Sequence, residues 1–153
     1  MKNRLIFTIL LIAIALTTIS GCSSSEEIEV TSPTGSKFEV GQVWRYQTRP
    51  GEEKSTIVIV KVESDETIGN IIHVSINGLK INNPQVEGGI NEHVPHMPFS
   101  EDAIENCVVE LIEEGVELPS FEQGYNEWRN AAGGVFTIPV SEAIGIIELA
   151  LNQ

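Results

Sequence analysis

Six of the seven residues in Thr56-Ile57-Val58-Ile59-Val60-Lys61-Val62 are β-branched. Branching at Cβ restricts χ1 against a preceding helical turn and packs well on a pleated surface, so this run reads as a central strand. A central strand needs hydrogen-bonded neighbours, and both flanks supply one. Val43 to Thr48 alternates as a strand and leads into Arg49-Pro50-Gly51-Glu52. There Pro sets one dihedral and Gly takes the positive one of a type II turn. After the central run, Asp65-Glu66 turn the chain, and Ile72, Val74 and Ile76 alternate with His73, Ser75 and Asn77. The expectation is an antiparallel meander of about three strands whose apolar face must be covered by the second half of the chain.

The covering layer is predicted to be helical. Ser100 reads as an N-cap with Glu101 and Asp102 in the first turn, and Ile104, Cys107, Val108, Leu111 and Ile112 recur at helical spacing until Gly115. Phe121, Tyr125 and Trp128 form one stripe of a shorter helix closed by Gly133-Gly134. Val135 to Ile138 reads as a short strand, and Ser141 caps a last helix carrying Ile144, Ile147 and Leu151. The fold class is α+β, strands first, with two to three helices from the C-terminal half laid over them. A length of 153 residues allows one modest domain, assigned to 37–153.

The first residues carry an address. Lys2 and Arg4 precede Leu5 to Leu16, which holds one polar residue, Thr8, and no charge; small and polar residues follow up to Gly21 and Cys22. A basic head, an apolar stretch too short to be a stable span and a small-residue end predict export. Ile19-Ser20-Gly21-Cys22 resembles the lipobox of bacterial lipoproteins, in which an aliphatic and two small residues precede an invariant Cys. The resemblance implies that residues 1–21 are a signal peptide cut between Gly21 and Cys22. It further implies that the Cys22 thiol receives a diacylglycerol and that the freed amine is acylated. Two or three chains, at about 0.8 kcal/mol per buried methylene, hold a water-soluble domain stably on a bilayer. Ser23 instead of Asp after the Cys points, by the same resemblance, to the outer membrane of a diderm host. An uncleaved anchor is the alternative, since Leu5 to Ser25 is free of charge; either way the residues after 22 lie beyond the cytoplasmic membrane. Residues 22–36 read as the lipidated Cys and a flexible tether of roughly 20 Å. The blocks His96-Met97-Pro98-Phe99-Ser100, Gly124 to Arg129 and Gly134 to Pro139 resemble those of small bacterial domains without an assigned role.

Charge limits the partners. The chain has 22 acidic and 9 basic side chains, a net of -13, which excludes a polyanion such as nucleic acid. From Asn82 onward thirteen acids face Arg129 alone. Glu110, Glu113, Glu114 and Glu117 would crowd the C-terminal end of the long helix, where the dipole disfavours anions and like charges three and four residues apart repel. Three uses stay open for this cluster: docking of a basic envelope protein, a weak Ca²⁺ site, or plain solubility. An Asp-x-Asp-x-Asp-Gly loop is lacking.

Other side chains are weighed by their chemistry. His93 and His96, with Glu92 beside them, invite a metal reading, but two imidazoles without a thiolate favour a structural loop, and no metal site is assigned. His73 reads as a surface or packing residue. Ser100 lacks a Gly-x-Ser-x-Gly elbow, and no catalytic residue is named. Trp44, Tyr46, Tyr125 and Trp128 can be drawn as a sugar-stacking platform, yet their spacing fits core packing better. Cys107 is expected to be buried on the long helix, with Cys22 consumed by lipid. The reading is a lipid-anchored cell-envelope protein, membrane-bound through covalent diacylglycerol and N-acyl chains, with a non-catalytic interaction domain and an acidic contact surface. The alternative is an envelope enzyme or a glycan- or peptide-binding protein using Tyr125 and Trp128.

Overall fold

The computed structural model describes residues 35–153; the signal segment 1–21, the lipobox through Cys22 and the tether as far as Thr34 lie outside the described residues. Five strands, β1 (Val43–Tyr46), β2 (Thr56–Asp65), β3 (Gly69–Asn82), β4 (Ile90–Ser100) and β5 (Val108–Glu113), join three helices, α1 (Glu101–Glu105), α2 (Glu122–Asn130) and α3 (Val140–Leu151). All strand pairs are antiparallel, in the order β4-β3-β2-β1-β5. The class is α+β: the predicted meander forms the centre of the sheet, and helices from the C-terminal half cover it. None of the described helices is long and apolar enough to cross a membrane.

The β-branched run does sit in the middle, and it is buried on both faces. Ile57, Ile59 and Val62 join Ile72, Val74, Ile76, Met97 and Phe99 in a core closed by Ile104, Cys107, Val140, Ala143 and Ile144, on the side of α1 and α3. Val58 and Val60 point the other way, toward Phe121 and Tyr125 at α2. The Arg49-Pro50-Gly51-Glu52 turn closes with Glu52 N–H donating to the Arg49 carbonyl at 3.1 Å and Gly51 at φ +84°. It also plants a buried charge. Glu52 accepts from Arg49 Nη2 at 2.6 Å and from the Lys80 amide at 2.6 Å, while Arg49 Nη1 reaches Glu148 on α3 at 2.6 Å. Burial works to raise the Glu52 pKa, but these donors outweigh it and hold the carboxyl below its ordinary value.

Several elements differ from their expectations. The helix expected from Ser100 to Gly115 is one turn, α1, after which the chain becomes β5 and pairs with β1. Ser100 is indeed the N-cap, accepting from the Ala103 amide. Val108, Val109 and Ile112 are β-branched, and the extended form supplies the edge of β1 with hydrogen-bonding partners. It also takes Glu110 and Glu113 away from a helix C-terminus, relieving the electrostatic conflict a long helix would carry. His93 and His96 are in strand β4 and not in a loop; Pro95 and Pro98 are tolerated because β4 is an edge and its register slips there. Val135 to Ile138 makes an isolated parallel bridge, Phe99 to Phe136, and no strand. Ser141 lies inside α3; Pro139 occupies the cap position and its carbonyl accepts from Ala143. Cys107 is buried as expected, just past α1, and burial raises its thiol pKa. Ser36, assigned to the tether, already donates to Glu101 at 2.7 Å.

The turn network makes a direct prediction. Replacing Arg49 by Met strands the Glu52 carboxylate in the interior and should cost about 3 kcal/mol of stability in urea denaturation. Glu148→Gln, at a half-buried position that keeps an acceptor, should cost less than about 1 kcal/mol.

Candidate functional site

Polar side chains gather on the sheet face beneath α2, and two register slips put them there. Side chains on a regular strand alternate faces, so residues three apart, such as Val60 and Glu63 or His93 and His96, should point oppositely. On β2 the pairing passes from Ile59↔Val74 to Lys61↔His73, leaving Val60 extra. On β4 it passes from Val74↔Met97 to Ile76↔Val94, three residues against two. Each slip restores an even count. Glu63, His73, Ser75, His93 and His96 therefore share one face, the face covered by α2.

The groups form a continuous chain of hydrogen bonds. Tyr125 Oη donates to Glu63 Oε1 at 2.6 Å, Glu63 Oε2 lies 3.0 Å from His73 Nε2, and His73 Nδ1 lies 2.9 Å from His96 Nε2. The two imidazoles are nearly coplanar, at 21° with centroids 5.1 Å apart, which is the geometry of an in-plane N–H···N bond and not of a stack. Their tautomers follow. An ionised Glu63 is acceptor only, so His73 carries its proton on Nε2 and its Nδ1 must accept from His96 Nε2–H. His96 Nδ1 is left with its lone pair. Every buried polar side-chain atom among the described residues has a partner, so this nitrogen, which has none, reaches solvent.

Electrostatics keep the layer neutral at the histidines and charged at the carboxylate. His73 is wholly buried, and desolvation, opposed by Glu63 and aided by His96, pushes its pKa down to about 4. Desolvation likewise lowers His96. For Glu63 burial pulls upward, but the Tyr125 bond and the neighbouring His73 and Lys61 prevail and hold it below the ordinary carboxylate value. Tyr125 and Trp128 close the layer edge-on over His73, with centroids at 5.3 and 4.9 Å. Lys61 Nζ sits 3.5 Å from Glu63 Oε1 and 5.1 Å from the Tyr125 ring centre. Ser75 and His93 pair separately at 3.0 Å. Beside the layer Glu63, Asp65, Ile71, Tyr125, Trp128 and Arg129 line a shallow groove of about 240 Å³.

The expected site residues fall in two places. Tyr125 and Trp128 are in this layer, whereas Trp44 and Tyr46 pack with the core on the opposite face, so the four aromatics make no single platform. Of the two roles expected for His73 it has the packing one: it is wholly buried under Tyr125 and Trp128, and hydrogen-bonded as well. His93 and His96 belong to different bonds, and no group of three or more metal-ligating side chains occurs among the described residues. Glu110 and Glu113 are on β5, with Glu114 and Glu117 in the segment after it; Glu110 pairs with Arg45 at 3.0 Å and Glu114 accepts from Gln42 at 3.2 Å. Glu63 was not foreseen as a site residue. The alternation of His73 and Ser75 on a β-branched strand was the available signal, because a polar face opposite an aromatic stripe has a partner to pack on.

No protein-family model matches the chain, and neither a similar curated protein nor a similar solved structure was found.

Close packing of α2 on β4 can be checked at Gly124. A Cβ there would stand 2.9 Å from His96 Cβ, closer than side chains pack. Gly124→Ala should therefore lower stability by about 1 to 2 kcal/mol, against the gain of up to about 1 kcal/mol that the same change gives in an open helix. Tyr125→Phe removes the donor to Glu63 and should raise the Glu63 pKa, read from the carboxyl carbon shift in an NMR titration.

Proposed function

We propose that the chain is a lipid-anchored cell-envelope protein whose domain docks a basic, partly apolar segment of another envelope protein along β5. The observation that carries the docking reading is the composition of that edge. Val109, Leu111 and Ile112 are 66%, 36% and 44% exposed, and Glu110 and Glu113 lie among and beside them, with Glu114 and Glu117 just beyond. Among the described residues Arg45 is the sole cation within ion-pair distance of these four glutamates. Apolar groups set among four acids that share one cation favour a partner that brings Lys or Arg together with aliphatic side chains. The same charge repels a second copy of this edge.

The anchor rests on the basic head, the apolar stretch and the Ile19 to Cys22 motif, and the chemistry it needs is S-diacylglycerol and N-acyl groups on Cys22. Mass spectrometry of protein extracted from cell membranes should find the N-terminal peptide beginning at Cys22 with diacylglycerol and acyl mass added; an unmodified N-terminus at Met1 overturns it. For docking, the full chain in detergent is titrated with a peptide of alternating Lys and Leu. Affinity should fall at least tenfold between 50 and 300 mM salt, and again for the Glu113→Gln, Glu114→Gln, Glu117→Gln triple variant. A control removing equal charge elsewhere, Glu66→Gln with Glu87→Gln and Glu142→Gln, should leave most of the affinity; equal loss in both variants overturns the docking site.

A second reading is supported by the groove beside Glu63. Two aromatic faces, an ionised carboxylate and Arg129 in one cleft suit a small polar ligand such as a sugar or peptide terminus. Specific line broadening of Trp128 and Ile71 signals on adding a glycan or peptide fragment would favour it over docking at β5.

A further inference from the structure

We propose that the layer beneath α2 is an acid-operated latch: protonating the His73–His96 pair releases α2 from the sheet while the sheet and α3 stay folded. This goes beyond the docking and anchoring readings and depends on neither.

The geometry supplies a port, a buried charge site and a removable cover. His96 Nδ1 touches solvent, so a proton can enter there, and the in-plane bond passes its charge to the wholly buried His73. The groups facing the pair are Lys61 and Glu63 on β2, Ser75 on β3, His93 further along β4, and Tyr125 on α2, whose hydroxyl also feels Arg129. Glu63 offsets one positive charge, but its two oxygens are already engaged by His73, Tyr125 and Lys61. A second charge has no counterion in the layer. Water would relieve it, and the neighbours differ in how easily they admit water. β2, β3 and β4 are tied by ladder hydrogen bonds, whereas α2 rests on the sheet through side chains. Its N-cap, Phe121, makes no side-chain cap bond, and just past its C-terminus Ala132 has φ +46°, a conformation L residues rarely adopt. Lifting α2 exposes the pair together with Val58 and Val60.

The pH window follows from the direction of the shifts. A histidine depressed when covered stabilises the covered state in full above its free value near 6.5, and that contribution disappears as pH falls toward the covered value of about 4. For His73 alone the released population should rise about 20-fold between pH 7 and pH 5.

Hydrogen exchange by mass spectrometry on the full chain tests this, with rates corrected for the intrinsic pH dependence. At pH 5 peptides spanning α2 should lose about 20-fold protection relative to pH 7, while peptides of β3 and α3 keep theirs. His73→Gln, which removes the wholly buried titrating group, should reduce that loss to the few-fold that His96 contributes. Because this variant can misfold, nitrogen-detected NMR of the wild type gives an independent reading: His73 should remain neutral, protonated at Nε2, down to pH 5. Unchanged α2 protection, simultaneous loss in β3 and α3, or a His73 that titrates near 6.5 would each overturn the latch.

Discussion

The fold rests on the β2–β3 ladder being buried on both faces. A strand pair with one wet face can carry polar residues at no cost, but this pair has α1 and α3 on one side and α2 on the other. Any polar atom it presents must find its partner inside the protein. Ile57, Ile59, Ile72, Val74 and Ile76 need none and form the larger core. On the other face His73 and Ser75 need partners, and Glu63, His96 and His93 supply them. The polar layer is thus a consequence of double coverage.

Register decides whether that layer can exist. With regular pairing throughout, Glu63 would project toward the apolar core, and His93 and His96 would sit on opposite sides of the sheet. Two single-residue slips, at Val60 on β2 and between Val94 and Met97 on β4, bring all of them under α2. α2 then completes the layer with a ring edge, an indole edge and one hydroxyl, and its close approach at Gly124 leaves no room for a larger residue. The two sheet edges are protected differently. β4 carries Pro95, Pro98 and the contact with Phe136, which block strand addition. β5 carries no Pro, and it is defended by glutamates and by register slips at Val109 and Ile112. An edge guarded by charge excludes like charge and remains open to the opposite one.

Much of the fold was legible before any coordinates. The central strand, its two neighbours, the Pro50-Gly51 turn, the Ser100 cap, the aromatic stripe of α2 and the apolar face of α3 all follow from local rules. The long helix was misread because Ile104, Cys107, Val108, Leu111 and Ile112 satisfy a helical period as well as Val108 to Ile112 satisfy a strand. Crowding of Glu110, Glu113, Glu114 and Glu117 at its end was the warning, and pairing with β1 was the deciding interaction. β4 was missed because two prolines argue against a strand unless it is an edge, and edge position is a property of the sheet. Of the polar layer, Tyr125 and Trp128 were visible as a stripe and His73 as one member of an alternating face, but nothing local connects them to Glu63.

The residues by themselves determined that the three segments of the central meander are extended, where that meander turns, that the chain is acidic, and which side chains are apolar enough to need cover. These depend on backbone preference, period and charge, which act over a few residues. The tertiary structure alone decided that β5 is a strand, that α2 lies across from α1 and α3, and that a carboxylate, two imidazoles and a phenol form one hydrogen-bonded chain. Those outcomes turn on single-residue register slips between strands and on pairing across up to about seventy positions of sequence, and neither leaves a periodic trace in the chain.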